Sequence, residues 1–394
     1  MKSFFTFLVT AVFILGNAAN ATAQSVSKPV VIGEELTIYS SVLKEERVLF
    51  ISKPLNYETS TERYPVLFLL DGATHFGHTT TTTRFLARNQ FAPEMLVVAI
   101  GNTDRTRDLT PPSQDPAVAR TAPTHGGAAG FQTFIADELV PWLDKNYRTR
   151  PFRVLVGHSY GGLFAIHSLI TRPDLFNAYI VISPSLQWDS QQVVKRAQEF
   201  FARTNKLNVS LYITSGNEGG DLVGGIRKLT GVLQEKTLDG FSWHYEPMPL
   251  ESHGSVPNRS IYQGLEFVFA DWTLRDPFET YNKYGIEGVE NFFATSEKKY
   301  GMGRAVRDRV TPRIVLELET AGRLDEIMAL VSRKGFVQVP AGILVRIADQ
   351  YLAKGRTEKA VEVYQLALKA EPGNDAAKQA LSKLGTELSN PATR

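Results

Sequence analysis

Gly157-His158-Ser159-Tyr160-Gly161 is the segment of this chain whose residue types and spacing most directly suggest chemistry. It follows an apolar run, Phe152–Val156, and precedes a helical pattern, Leu163–Ile170. A serine on a tight strand-to-helix turn needs glycine on both sides, because strand and helix pass close together there. Its hydroxyl then stands at a helix N-terminus, whose amides can face a developing oxyanion. Ser159 is the candidate nucleophile, and the plainer reading is an idle serine in a turn.

A serine hydroxyl attacks poorly until a base takes its proton, and the base needs a carboxylate to orient it. With the serine on such an elbow, the expected chain order is serine, acid, histidine. Seven histidines compete. His75, His78, His125 and His158 come too early, His167 lies in the helical pattern after the elbow, and His244 lies in a strand-like run. His253, in Glu251-Ser252-His253-Gly254-Ser255, follows the last apolar run and is the candidate base. For the acid, the run Val209–Ser215 empties into Gly216-Asn217-Glu218-Gly219-Gly220-Asp221, which offers Glu218 and Asp221. Asp221 stands where a helix N-cap is expected, so position favours Glu218. The oxyanion donors expected are the amide of Tyr160, directly after the nucleophile, and that of Gly72 or Ala73.

Arg105, Arg107, His125 and Trp188 are candidates to line a substrate site, the arginines for an anionic acyl or leaving group. Arg107 could equally pair with Asp108 or a neighbouring carboxylate and hold its loop. No metal-ligand spacing occurs: His75 and His78 lack a clustered third ligand. No cofactor is expected.

The elements that must position these residues follow from hydrophobic pattern. Residues 36–40 and 47–53 read as an opening pair of strands. Near-continuous apolar runs follow at 64–70, 95–100, 152–156, 178–183, 209–215 and 244–248. Runs without alternation imply strands buried on both faces, as in a parallel sheet covered by helices. Helical spacing at 131–147, 163–170, 190–201, 222–236 and 260–272 completes an α/β sandwich over residues 24–273. Thr79–Thr83 is a polar run with no assignment.

After Asp276-Pro277 no strand-like run remains. Residues 274–312 read as a linker or helical connection, 313–385 as a small all-α region, and 386–394 as a flexible tail. Ile347, Ala348, Tyr351, Gly355, Ala360, Tyr364, Ala367 and Pro372 fit a tetratricopeptide-like pattern, and Gly355-Arg356 echoes Gly322-Arg323. So few repeats imply packing on the body, on a second copy or on a protein partner, with an ordinary helical hairpin as the plainer reading.

The 394 residues carry 43% apolar and 21% charged side chains, the composition of a folded protein. A net charge of +2 without basic runs argues against nucleic acid as a partner. The absence of cysteine excludes thiolate chemistry and disulfides. Lys2, the apolar run Phe4–Leu15 and Ala21-Thr22-Ala23 have the form of a signal peptide over residues 1–23, too short to span a bilayer. An exported protein, periplasmic or secreted, is expected.

Tyr64-Pro65-Val66-Leu67-Phe68-Leu69-Leu70-Asp71-Gly72, the elbow with Gly162, and Ser183-Pro184-Ser185 together resemble the esterase family of α/β-hydrolases, over about residues 30–273. That family includes enterobactin esterases, feruloyl esterases and mycolyltransferases. Arg107-Asp108-Leu109-Thr110-Pro111 is similar to its enterobactin-esterase branch, and Asn217-Glu218 to the segment that holds the acid in mycolyltransferases. The resemblance implies an α/β-hydrolase three-layer sandwich with a mostly parallel central sheet. It also implies a serine esterase working through an acyl-enzyme on a small-molecule ester, siderophore esters among the candidates. Siderophore esterases of the family can work with a serine–histidine pair alone. An acyltransferase on the same fold, or an inactive hydrolase-fold scaffold, is the alternative.

Overall fold

Eight strands form one sheet in the order β1-β2-β4-β3-β5-β6-β7-β8. They are β1 (Glu34–Ser40), β2 (Glu45–Ser52), β3 (Tyr64–Leu69), β4 (Leu96–Ile100), β5 (Thr149–His158), β6 (Ala178–Ile182), β7 (Lys206–Ser215) and β8 (Asp239–Pro247). The computed structural model describes residues 27–301, 304–333 and 339–388; the expected signal segment 1–23 and tail residues 389–394 lie outside them. Described residues 27–31 form a unit separate from the one that begins at Ile32. β2 runs antiparallel to both β1 and β4, and every later pairing is parallel. Every residue of β3, β4 and β6 is buried, which is why these strands read as unbroken apolar runs.

Helices cover both faces: α1 (Gly72–Arg88), the short α2 (Arg105–Leu109) and α3 (Pro116–Thr121), α4 (Ala128–Thr133), α5 (Val140–Asn146), α6 (Tyr160–Thr171), α7 (Trp188–Arg203), α8 (Gly220–Gln234) and α9 (Val256–Val268). Phe131, Leu163, Phe164, Val193 and Ile226 pack with one face of the sheet, and Phe76, Val256, Ile261 and Leu265 with the other. The result is a three-layer α/β-hydrolase-type sandwich.

Four local readings change. Thr79–Thr83 lies within α1, its Thr79, Thr80 and Thr83 buried against the molecule; no apolar stripe advertised that helix. The stretch expected as one helix over 131–147 is α4 and α5 joined by a wider π turn, Phe134–Leu139, next to Pro141, which has no N–H to donate. β8 begins at Asp239 and alternates between exposed and half-buried, because it is the sheet edge. Asp189, Ser190 and Gln191 at the start of α7 are left-handed (φ 47°, 51° and 64°), so the regular helix begins after them.

The C-terminal part is helical: α10 (Pro277–Tyr300), α11 (Arg304–Thr320), α12 (Leu324–Val331), α13 (Ala341–Ala353), α14 (Thr357–Ala370) and α15 (Asp375–Leu388). Residues 274–312 are thus mostly helix, with a kink at Gly285. This region has its own core, in which Ile347, Ala348, Tyr351, Ala360, Tyr364 and Ala367 are buried. Gly322 (φ 68°) and Gly355 (φ 71°) both end helices in the left-handed region. After each, the next amide reaches back, Arg323 to Leu318 and Arg356 to Tyr351, so the two echoing segments share one cap geometry. Among the described residues no helix is long and apolar enough to cross a membrane.

Candidate active site

β5 delivers Ser159 on a strained turn, with φ 58° and ψ −116°, a conformation that L residues rarely adopt. A Cβ on Gly157 would collide with the Gly161 carbonyl, and one on Gly162 would come within 2.9 Å of Pro184 Cα. The Ser159 amide donates to the Ile182 carbonyl (3.0 Å), and its own carbonyl accepts from the Ser185 amide (3.1 Å). These bonds tie the turn to the end of β6. Ser159 Oγ lies 3.2 Å from Ser185 Oγ. No Ser159–His253 hydrogen bond is formed among the described residues; such bonds are often loose before substrate binds.

Glu218 and His253 come together because the loops after β7 and β8 touch. Asn217 N donates to the Glu251 carbonyl (2.6 Å), and a Cβ on Gly216 would sit 2.8 Å from that oxygen. Across this contact His253 Nδ1 donates to Glu218 Oε1 at 2.5 Å. Asp221 does not bond His253. α8 starts at Gly220 with Gly219 as its cap, so Asp221 is an exposed residue of the first turn rather than the expected N-cap.

Gly72 and Ala73 open α1, and Tyr160 opens α6; the first amides of a helix have no carbonyl of their own helix to bond. Asp71, just before them, is left-handed (φ 55°) and only 5% exposed. Its carboxylate accepts from Arg105 Nε (2.6 Å) and Nη2 (3.0 Å) and from Asn102 (2.7 Å). Burial pushes the Asp71 carboxyl up, yet Arg105 and Asn102 outweigh it and hold the group below its usual range. Arg105 also donates to the His158 carbonyl (3.3 Å) and lies 5.3 Å from the Tyr160 ring centre. One guanidinium therefore links the Gly72–Ala73 loop to the elbow.

Arg107 is spent on carboxylates. It bonds Glu45 (3.0 and 2.5 Å) and Asp108 (2.8 Å), and Arg47 bonds the same two acids. Those bonds, Glu45 foremost, raise the Arg107 pKa. This matches the loop-holding alternative. A cleft of ≈ 660 Å³ beside the elbow is lined instead by Tyr160, Ser185, Trp188, Asp189, Lys195 and Asp221, among others; neither arginine nor His125 lines it. Trp188 is 7% exposed, donates to the Pro111 carbonyl (3.2 Å) and meets Tyr160 edge-on. His125 packs against Trp188 and accepts from the Ser113 amide (3.3 Å).

Three residues beside the site carried no functional reading in the sequence: Ser185, Asp71 and Asn102. Ser185 and Asp71 stood within the family-like segments, which was the available signal. A fourth is His158, too early in the chain for the base, whose ring centre lies 4.5 Å from that of His253 with 43° between the planes.

An eight-stranded, mostly parallel sheet with a strained serine elbow and a histidine–carboxylate pair at the same strand ends defines a serine hydrolase of the α/β-hydrolase type. The sequence profile of the Esterase family, described as "Putative esterase", matches residues 40–229. The ferri-bacillibactin esterase of Bacillus subtilis is 34% identical over 199 residues, 46% of this chain and 68% of that protein. The siderophore enterobactin esterase of Emericella nidulans is 34% identical over 176 residues, 39% of this chain and 57% of that protein. Among solved structures, an IroE-like serine hydrolase from Shewanella oneidensis is 27% identical with a TM-score of 0.62, covering 75% of this chain and 96% of that one. An uncharacterised protein from Capnocytophaga ochracea shares the fold over 90% of this chain (18% identity, TM-score 0.67). The chain belongs to the Esterase family, and with it to the serine-type carboxylic-ester hydrolases.

Proposed function

We propose that this chain is an exported esterase that hydrolyses siderophore-type esters through an acyl-enzyme. The observation that supports it best is the 2.5 Å Glu218–His253 pair at the same strand ends as the strained Ser159. The siderophore substrate class is suggested by the names of the two 34%-identical relatives. Ser159 Oγ attacks the ester carbonyl as His253 Nε2 takes its proton. The amides of Tyr160 and of Ala73 or Gly72 receive the negative charge on the carbonyl oxygen. The tetrahedral intermediate collapses, the alcohol leaves with the proton from His253, and Ser159 is acylated. Water, deprotonated by His253, then attacks the acyl carbon and releases the acid. Glu218 holds the imidazole tautomer throughout. In this reading Lys195 touches the bound ester from the cleft, while Arg105 and Arg107 hold the walls. The helical region, read as tetratricopeptide-like, is the surface for a protein partner or a second copy.

A fluorophosphonate probe should label Ser159, and Ser159→Ala or His253→Ala should lower kcat on a p-nitrophenyl ester by several orders of magnitude. Glu218→Gln should lower it by less, since losses within such a unit are unequal, and Asp221→Ala should leave it nearly intact. A dead Asp221→Ala beside an active Glu218→Gln reverses the acid, and an unlabelled wild type ends the reading. Enterobactin and bacillibactin hydrolysis, compared with feruloyl esters, tests the substrate class.

A further inference from the structure

The imidazole of His253 is bonded to Glu218, and its side chain is otherwise about two-fifths open to solvent. A single bond at Nδ1 leaves the ring free to turn about that axis, while proton transfer requires the opposite nitrogen to face Ser159. The aromatic ring beside it is that of His158. Its ring centre lies 4.5 Å from that of His253, with 43° between the planes. Its backbone is fixed at the end of β5, and its carbonyl is held by Arg105. His75 also meets it edge-on at 5.7 Å, and His75 in turn shares a 3.0 Å hydrogen bond with His78. His158 Nε2 is buried and bonds nothing in the protein, so the ring is placed by packing.

We propose that His158 is a positioning residue for His253: its imidazole lies against the ring of the base, sets the plane of that ring and stabilises the positive charge it carries during turnover. This rests on the reading of His253 as the base. A neutral ring within about 6 Å of a cation attracts it, whereas a charged one would repel it. The groups facing His158 are His253 from the loop before α9, His75 of α1, Asp71 ahead of α1 and Arg105 of α2. Burial first, then His253 and His75, lowers the His158 pKa to about 4, so the His158 ring is neutral near neutral pH. His253 itself faces Glu218 and His158.

The test compares His158→Leu, which removes the flat face, with His158→Phe, which restores a face without nitrogens. The His253 ring is titrated by NMR in the full-length protein, and kcat and KM are measured on a p-nitrophenyl ester. His158→Leu should displace the His253 ring titration to lower pH. It should also lower kcat about tenfold with KM little changed, and His158→Phe should recover both. If His158→Leu does not fold, His158→Gln takes its place with the same expectations. A loss shared equally by the Phe variant, or a His253 titration that does not move, overturns the proposal. Fluorophosphonate labelling of the wild type separates the two failures. An unlabelled Ser159 sinks the esterase reading, whereas labelling with unmoved titrations sinks only the role of His158.

Discussion

His167 shows how a single residue's surroundings set its contribution. It sits in α6 at 5% exposure, and neither ring nitrogen has a partner. Burial, with a smaller effect of Arg196, lowers its pKa from 6.5 to about 4. Between those values the unfolded chain binds a proton that the folded protein refuses, so stability falls as pH drops from 6.5 towards 4 and levels off below. At pH 5 the loss from this one group is about 2 kcal/mol. His158, lowered likewise to about 4, adds to the same window. His167→Leu removes one of the two, so its melting temperature should fall less than that of the wild type between pH 7.5 and 5. Melting curves at both pH values decide it: parallel losses in the two proteins would mean that His167 does not resist protonation.

At the scale of elements, the site is assembled where loops from different strands are tied together, and Arg105 is the tie between α1 and the elbow. Two bonds to Asp71 and one to the His158 carbonyl need a planar fork, which lysine lacks. Arg105→Lys should therefore shift the Gly72–Ala73 amides relative to Ser159 and lower kcat about 10–100-fold with KM nearly unchanged. Steady-state kinetics on a small ester, with circular dichroism to confirm folding, provide the check. A raised KM at unchanged kcat would instead return Arg105 to the substrate-contacting role expected from its position in the chain.

For the whole molecule, the helical region and the hydrolase body share a core at Tyr300. Its ring packs on Phe152 (5.2 Å), Phe269 (5.4 Å) and Trp272 (6.0 Å), and its hydroxyl donates to the Val268 carbonyl (2.8 Å). Burial raises the pKa of that phenol, which stays protonated. Tyr300→Ala should cost about 3–5 kcal/mol, by analogy with other large-to-small core changes. Turnover of a small ester per folded molecule should be preserved, because Tyr300 is on the face opposite α6. Urea denaturation and kinetics on the same samples test this. A variant of unchanged stability would mean that the helices and the body fold independently.

The sequence alone was enough to place β3, β4 and β6, because strands buried on both faces must be apolar throughout, whereas it put the start of the edge strand β8 too late. It also marked the elbow, because only glycine fits where Gly157 meets the Gly161 carbonyl. It did not show α1, whose buried face is mostly threonine and histidine, with only Phe76 and Leu86 apolar and large. Nor could it show that Arg107 binds Glu45, 62 residues earlier, since that bond exists only once β2 lies antiparallel beside β4. Both Glu218 and Asp221 lay within reach in the chain. Which carboxylate meets His253 was decided by the contact of Gly216 and Asn217 with the Glu251 carbonyl, and the place of His158 beside that ring by the end of β5 packing against the loop after β8. Local pattern determines what each segment can be; long-range packing decides which of its side chains meet.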